Sequence, residues 1–406
     1  MNIIIIGMST TFPNDKGGGG RWYQIAEYLQ NTCHHNVELI ASTFVHSEKK
    51  QRKEVVSNVN YKLIYQPSYS KNIAIKRLFS LATYSHNIQE YLKKKKPDLI
   101  YCSIPDNYTA YKVALFAHEN NIPIILDIED LWPEAMESWL KNRHLSIFKF
   151  LLFPYAVTAK KAYALANGYV GTSDEYATIP VRYDMENSKK PKRTVYVSQN
   201  ISEFDRLADK HKDDVHKNSA EFWVTYAGTI GETYDIKTMV EAAIKLKKQD
   251  YPSIVFKILG DGPLRPDLEK YAKANDCNVE FLGYQQYGRM AAYLKASDIL
   301  VNSFKKTAPQ SVVSKVVSYL AAGKPILNTL ESKEFKRMID EKHVGINIPA
   351  EDVDMFVNGV VSLYEAPTIS EVMGKNARVL AEKDFDTATS YAKISDLICE
   401  ITSELS

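Results

Sequence analysis

The chain has 406 residues, too many for one ordinary hydrophobic core and suited to two domains. Hydrophobic residues make up 45% and charged residues 25%, which excludes a disordered chain, and a net charge of +2 gives no general basis for holding nucleic acid. The four cysteines (Cys33, Cys102, Cys277, Cys399) form no CxxC pair, which argues against zinc and a disulfide framework and fits a reducing cytoplasm.

Asn2 to Gly7 opens the chain as a buried strand, its isoleucine run too short and too poorly flanked for a signal peptide. No apolar stretch of roughly 18 residues exists to span a bilayer. The glycines Gly17 to Gly20 then lead into a helix predicted from Arg21 to Gln30. Such a loop brings backbone N–H groups against an anion or a polar ligand at a helix N-terminus, and Gly18, Gly19 and Gly20 are its candidates; a plain surface loop fits as well. Buried strands follow at Val37–Ala41, Leu99–Cys102, Ile122–Leu126 and Gly168–Gly171. Helical patterns alternate with them at Thr83–Lys93 and Asn107–Asn120, which implies a parallel sheet covered on both faces. The lysine-rich runs at 49–53 and 93–96 read as solvated surface, with anionic lipid or a charged substrate as the rival reading.

Leu126 to Glu134 reads LDIEDLWPE. On strand alternation Asp127 and Glu129 face one way, Ile128 and Asp130 the other. At the carboxyl end of a strand, Glu129 or Asp130 can orient or deprotonate a hydroxyl; for Asp130 a helix N-cap is the alternative. Asn142 to Lys161 mixes basic and apolar residues and reads as a helix packed on the N-terminal domain. Periodicity then weakens across 187–219, a polar stretch taken as the connection. The expected division is an N-terminal domain over 1–200, a linker over 201–220, a C-terminal domain over 221–375 and C-terminal helices over 376–406 that can cross back.

The strand–helix rhythm restarts at Phe222–Ala227. Three strand ends carry glycine: Gly228 and Gly231 around Thr229, Gly260 and Gly262 before Arg265, and Gly283 before Tyr284. Such positions let a backbone approach a base or a pyrophosphate. Next, APQSVVSKVVSYLAAGKPIL (308–327) sets Gln310, Ser311 and Val312 ahead of a helix whose N-terminal amides can hold a phosphate or a sugar hydroxyl. Lys315 lies in the first part of that helix, either meeting such an anion or simply solvated.

In order and spacing, YAGTIGETYDI, LGDGPLRPDLE, FLGY and SKVVSYLAAGKPIL resemble the donor half of retaining GT-B glycosyltransferases of family 4. DLWPE resembles the subgroup acting in capsule, O-antigen and exopolysaccharide assembly. The resemblance implies an α/β protein of two Rossmann-like, doubly wound parallel-sheet domains facing across a cleft. It also implies a nucleotide-sugar donor, UDP-linked, on the C-terminal domain and a glycan or lipid-linked acceptor on the N-terminal one. No metal is obligatory, nucleic acid is not a partner, and self-association stays open. A lipid-linked acceptor implies a cytoplasmic protein whose Asn142–Lys161 face rests on the inner membrane surface.

The sequence departs from that pattern at telling places. The E-x7-E pair falls on Gln310, towards the donor sugar, and Ser318, towards the ribose. The phosphate-binding Arg and Lys of the first loop fall on Thr229 and Tyr234, and Glu129 stands where many members have histidine. Lys315 and Arg265 are left to meet the diphosphate, Lys315 foremost. A weakened enzyme that stabilises an active partner is therefore a second reading, and a nucleotide-sugar epimerase a third.

Overall fold

The computed structural model describes residues 1–15, 18–71, 74–134, 136–137, 150, 152–308 and 312–403. The chain divides into two compact units, Met1–Val195 together with the chain from Tyr391 onward, and Tyr196–Ser390.

The first unit holds β1 (Asn2–Ile6), β2 (Asn36–Ser42), β3 (Phe44–Val45), β4 (Lys50–Gln51), β5 (Tyr61–Ile64), β6 (Leu99–Ile104), β7 (Ile124–Ile128), β8 (Gly168–Gly171) and β9 (Lys192–Thr194). Seven of these form one sheet, β5-β2-β1-β6-β7-β8-β9, with every pairing parallel. The isoleucines of β1 explain why its central strands read as unbroken apolar runs. Ile4 and Ile6 pack with Ile100, Cys102 and Leu126 on one face, while Ile3 and Ile5 pack with Leu39, Tyr101 and Ile125 on the other.

The second unit holds β10 (Phe222–Ala227), β11 (Ile254–Leu259), β12 (Val279–Gly283), β13 (Ile299–Asn302), β14 (Ile326–Asn328) and β15 (Gly345–Asn347). They form a parallel sheet in the order β12-β11-β10-β13-β14-β15, again with an apolar cluster on each face. Both sheets are of the expected α/β, Rossmann-like kind.

Some boundaries differ from the sequence reading. β7 ends at Ile128, beyond the expected Leu126, because the charge it takes in at Asp127 has partners waiting for it. The stretch 201–220, expected to be a linker, contains the helix Ile201–Lys210, which buries Ile201, Phe204 and Ala208 in the second unit. Ile201, Phe204, Leu207 and Ala208 do recur at helical spacing, but the sequence reading passed over them in a stretch dominated by charge. The helix expected at Thr83–Lys93 begins earlier, at Ile75, and leaves Ile75, Leu78 and Phe79 in solvent.

Candidate functional site

In the first unit, the glycine loop and the acidic strand end meet through a residue that the sequence reading passed over. Gly20 is the N-cap of the helix Arg21–Asn31 and offers no side-chain cap; its own N–H donates to the Thr11 carbonyl at 3.1 Å. Gly18 has a φ of +77°, and a Cβ on Gly19 would run into the Tyr23 ring at 2.6 Å. The next residue, Arg21, crosses to β7. Its Nε and Nη2 donate to Asp127 Oδ2 and Oδ1 at 3.0 and 3.2 Å, and the Tyr101 hydroxyl donates to Oδ2 at 2.6 Å. Asp127 is fully buried, and this fork and hydroxyl supply the partners that a buried carboxyl requires. A lone acid in an otherwise apolar strand was the available signal: it demanded a cation.

Glu129 lies just past β7, 3.8 Å from Arg21 Nε, which leaves it on the same side as Asp127. Its side chain keeps 32% of its surface in solvent, so the carboxyl is recessed rather than sealed. Desolvation pushes its pKa up to about 7; Arg21 opposes this, while Asp127 and Asp130 add to it. Asp130 instead accepts from the Leu131 N–H at 2.9 Å and the Trp132 indole at 3.1 Å, a local turn contact in solvent.

In the second unit, the glycine-bearing strand ends converge on one another. Ile230 N–H donates to the Asp261 carbonyl at 2.9 Å, Leu264 N–H to Ile230 at 3.2 Å, and Gly260 N–H to Gly283 at 2.7 Å. A Cβ on Gly260 would lie 1.8 Å from the Gly228 oxygen, and one on Gly262 would lie 2.2 Å from the Ile230 oxygen. The close approach that these glycines allow is thus first of all to neighbouring loops. Gly231 differs, since a Cβ there meets only a Thr229 methyl at 3.6 Å. Gly260→Ala, at φ +131°, is therefore expected to cost about 1–3 kcal/mol through backbone strain alone, while Gly231→Ala stays near neutral. Thermal unfolding of the two variants checks the contrast.

Thr229 and Tyr284 are exposed, Tyr284 strongly so, and Val312 packs partly buried against the apolar cluster. Gln310 and Ser311 lie outside the described residues. Arg265, the second cation proposed for a diphosphate, is drawn towards carboxylates: Nη1 lies 3.4 Å from Asp261 and Nε 3.6 Å from Glu269.

Lys315 is the exception among the cations. It begins the helix Lys315–Ala322, and its ammonium is buried with no hydrogen-bond partner among the described residues. Three ring faces surround it, Tyr226 at 4.3 Å, Tyr234 at 4.4 Å and Phe304 at 4.6 Å from their centroids. Burial without a counter-charge holds its pKa well below the ordinary lysine value, and the rings offset part of that cost. The rings belong to the end of β10, the loop after it and the second residue beyond β13, so the amine sits at the carboxyl end of the sheet. Ser318, one turn on, is buried against Gln199 and Tyr287.

A hollow of about 730 Å³ lies elsewhere in this unit, where Asp298 and Pro325 lead into β13 and β14. Of the cations that line it, Lys295 and Arg378 are paired with Asp205 at 2.8 and 2.6 Å and Lys375 with Glu371 at 2.7 Å, and Lys324 lines it as well.

Residues 208–380 match the family described as Glycosyl transferases group 1. Most of the second unit is thus similar to a group 1 glycosyl transferase domain. Every donor-side residue singled out in the sequence, from Gly228 to Ser318, falls inside the matched span of this domain, whereas Glu129 and the glycine loop lie outside it. The chain is 25% identical over 335 residues to WcaI of Escherichia coli (strain K12), named as a colanic acid biosynthesis glycosyl transferase, covering 79% of this chain and 78% of WcaI. Among solved structures it resembles sucrose-phosphate synthase from Thermosynechococcus elongatus, with a TM-score of 0.70 at 16% identity over 99% of each chain. It also resembles HepE of Anabaena in complex with UDP, with a TM-score of 0.65 at 14% identity over 98% of this chain and 100% of the other. The two units thus have the GT-B fold.

Proposed function

We propose that the protein is a retaining glycosyltransferase that moves a sugar from a UDP-linked donor to a bacterial polysaccharide or lipid-linked glycan. The observation that carries this reading is Lys315, a buried ammonium without an acceptor beside the glycine-bearing strand ends. A charge placed there is stabilised when an anion arrives, and the diphosphate leaving group of a nucleotide sugar brings one. The first amides of the helix Lys315–Ala322 are already engaged, Val316 N–H with Val313 and Val317 N–H with Ser314 at 3.1 and 3.2 Å, so meeting the anion falls to Lys315. UDP is favoured because HepE is solved with it. Calorimetric titration of the full chain with UDP, GDP and dTDP tests the reading: binding of UDP supports it, and binding of none overturns it.

Glu129 is the group that orients the acceptor hydroxyl and takes its proton. Its carboxyl must be ionised for this, so kcat/KM for the acceptor at saturating donor is expected to rise with pH up to about 7 and then level off. Glu129→Gln is expected to lower kcat by about 10²–10⁴-fold and to remove the rising limb, as read from a pH–rate profile.

The absence of a cation at Thr229 and Tyr234 and the pairing of Arg265 favour one second reading, a weakened enzyme that stabilises an active partner. Under that reading no nucleotide binds, and an active glycosyltransferase co-purifies. For the acceptor end we infer contact with the inner membrane surface, supported by Phe150 and Phe153, which are 67% and 69% exposed in a basic stretch. No helix among the described residues is long and apolar enough to cross a membrane. Sedimentation with anionic against neutral vesicles tests this contact, and equal recovery with both counts against it.

A further inference from the structure

The hollow of about 730 Å³ lies at the amino ends of β13 and β14, opposite the rim that carries Lys315. The turn Gly323-Lys324-Pro325, which carries the chain from the helix Lys315–Ala322 into β14, forms one wall. Gly323 takes a φ of +67°, and Pro325 restricts the residue before it, so the Lys324 backbone has little freedom. The helix Pro367–Leu380 closes in on this turn through Gly374, where a Cβ would lie 2.4 Å from the Gly323 oxygen.

Every carboxylate that lines the hollow already has a cation. Asp205 takes Lys295 and Arg378, Glu371 takes Lys375, and Asp298 accepts from Lys217 and, at 2.6 Å, from the Trp223 N–H. Arg378 also donates to the Ala321 carbonyl at 2.9 Å, so the last turn of the helix Lys315–Ala322 is met as well. Lys324, half-buried beside these groups, makes no hydrogen bond or ion pair among the described residues. Burial holds its pKa below the ordinary lysine value; Asp298 opposes this, and Lys217 adds to it. A cation left over in such a space is stabilised when an anion enters.

We propose that this hollow is a second small-molecule site, separate from the donor site, which takes a sugar phosphate with the phosphate on Lys324. Its volume suits a ligand larger than bare phosphate. None of the residues that line it is aromatic, so no ring face is offered to a nucleotide base. The carboxylates of Asp205 and Glu371 keep lone pairs beyond those their cations use, and these accept from sugar hydroxyls. Because the site and Lys315 occupy opposite ends of the sheet, the two ligands bind together.

The test is calorimetric titration of the full chain, in saturating UDP, with glucose 1-phosphate, inorganic phosphate and glucose. Glucose 1-phosphate is expected to bind about tenfold more tightly than phosphate, and glucose not measurably. Lys324→Gln is expected to weaken glucose 1-phosphate about 10–100-fold. Ser370→Phe, which intrudes on the hollow and keeps every charge, is expected to abolish its binding. Lys315→Met, titrated without UDP, is expected to bind it as wild type does, so the result stands whatever becomes of the donor reading. Phosphate binding as tightly as glucose 1-phosphate overturns the sugar phosphate. No binding of either, an unaffected Lys324→Gln, or a loss in Lys315→Met overturns the site.

Discussion

Lys315→Met is expected to weaken UDP binding by about 10–100-fold and, at the same time, to raise the thermal stability of the second unit. Both effects follow from an ammonium held without an acceptor. A hydrogen bond to a charged group contributes about 1.5–3 kcal/mol, which sets the scale of the lost affinity. In the free protein the same group is a burden, because its folded pKa lies well below its unfolded one. Folding then opposes protonation. The penalty vanishes above the ordinary lysine pKa of about 10.4, grows as pH falls below it, and levels off beneath the depressed folded value. Methionine fills similar space without charge, so a gain of about 1–4 kcal/mol is expected at neutral pH and none near pH 11. Thermal unfolding at the two pH values checks it. UDP affinity should also fall as pH rises above the depressed pKa, about tenfold per unit, since the neutral amine must take up a proton to meet the diphosphate. A variant that keeps full UDP affinity at every pH would remove Lys315 from the donor site.

The second large effect is expected at Arg21. Arg21→Met leaves Asp127 as an unpaired charge in a fully buried strand, a loss of about 3–5 kcal/mol. The midpoint of denaturant unfolding of the full chain should fall accordingly. Removing both partners, Arg21→Met with Asp127→Leu, should restore most of the loss, because the cost lies in the abandoned charge and not in the missing contact. Arg21 also holds the Glu129 pKa down. Without it that carboxyl rises further, so the acid limb of the pH–rate profile moves to higher pH. A shift in the opposite direction would show that Arg21 does not govern Glu129.

The contrast between what the sequence disclosed and what it concealed has a simple physical basis. Sheet strands that are buried on both faces announce themselves as apolar runs, and the glycines at the ends of β10, β11 and β12 marked where backbones come close. Local features of this kind need only neighbours in the chain. The Arg21–Asp127 pair joins residues 106 positions apart, and the rings around Lys315 come from three separated segments. Neither has a local pattern, although a charge within the strand LDI did call for a partner. Lys315 was legible as a cation at a helix start, but its lack of an acceptor was not. Gln199 was hidden more deeply, in a polar stretch that read as mere connection.

The last helix has a consequence for how the molecule is made. Tyr391, Ile394, Leu397, Ile398 and Ile401 are buried among Ile3, Ile5, Leu39 and Tyr101 of the first unit. Translation delivers those sheet strands before residues 196–390 and their cover after them, so the first unit waits for the second before it is completed. A nascent chain that stops at residue 390 would carry a finished second unit and a greasy, uncovered sheet, the sort of surface that quality-control machinery grips.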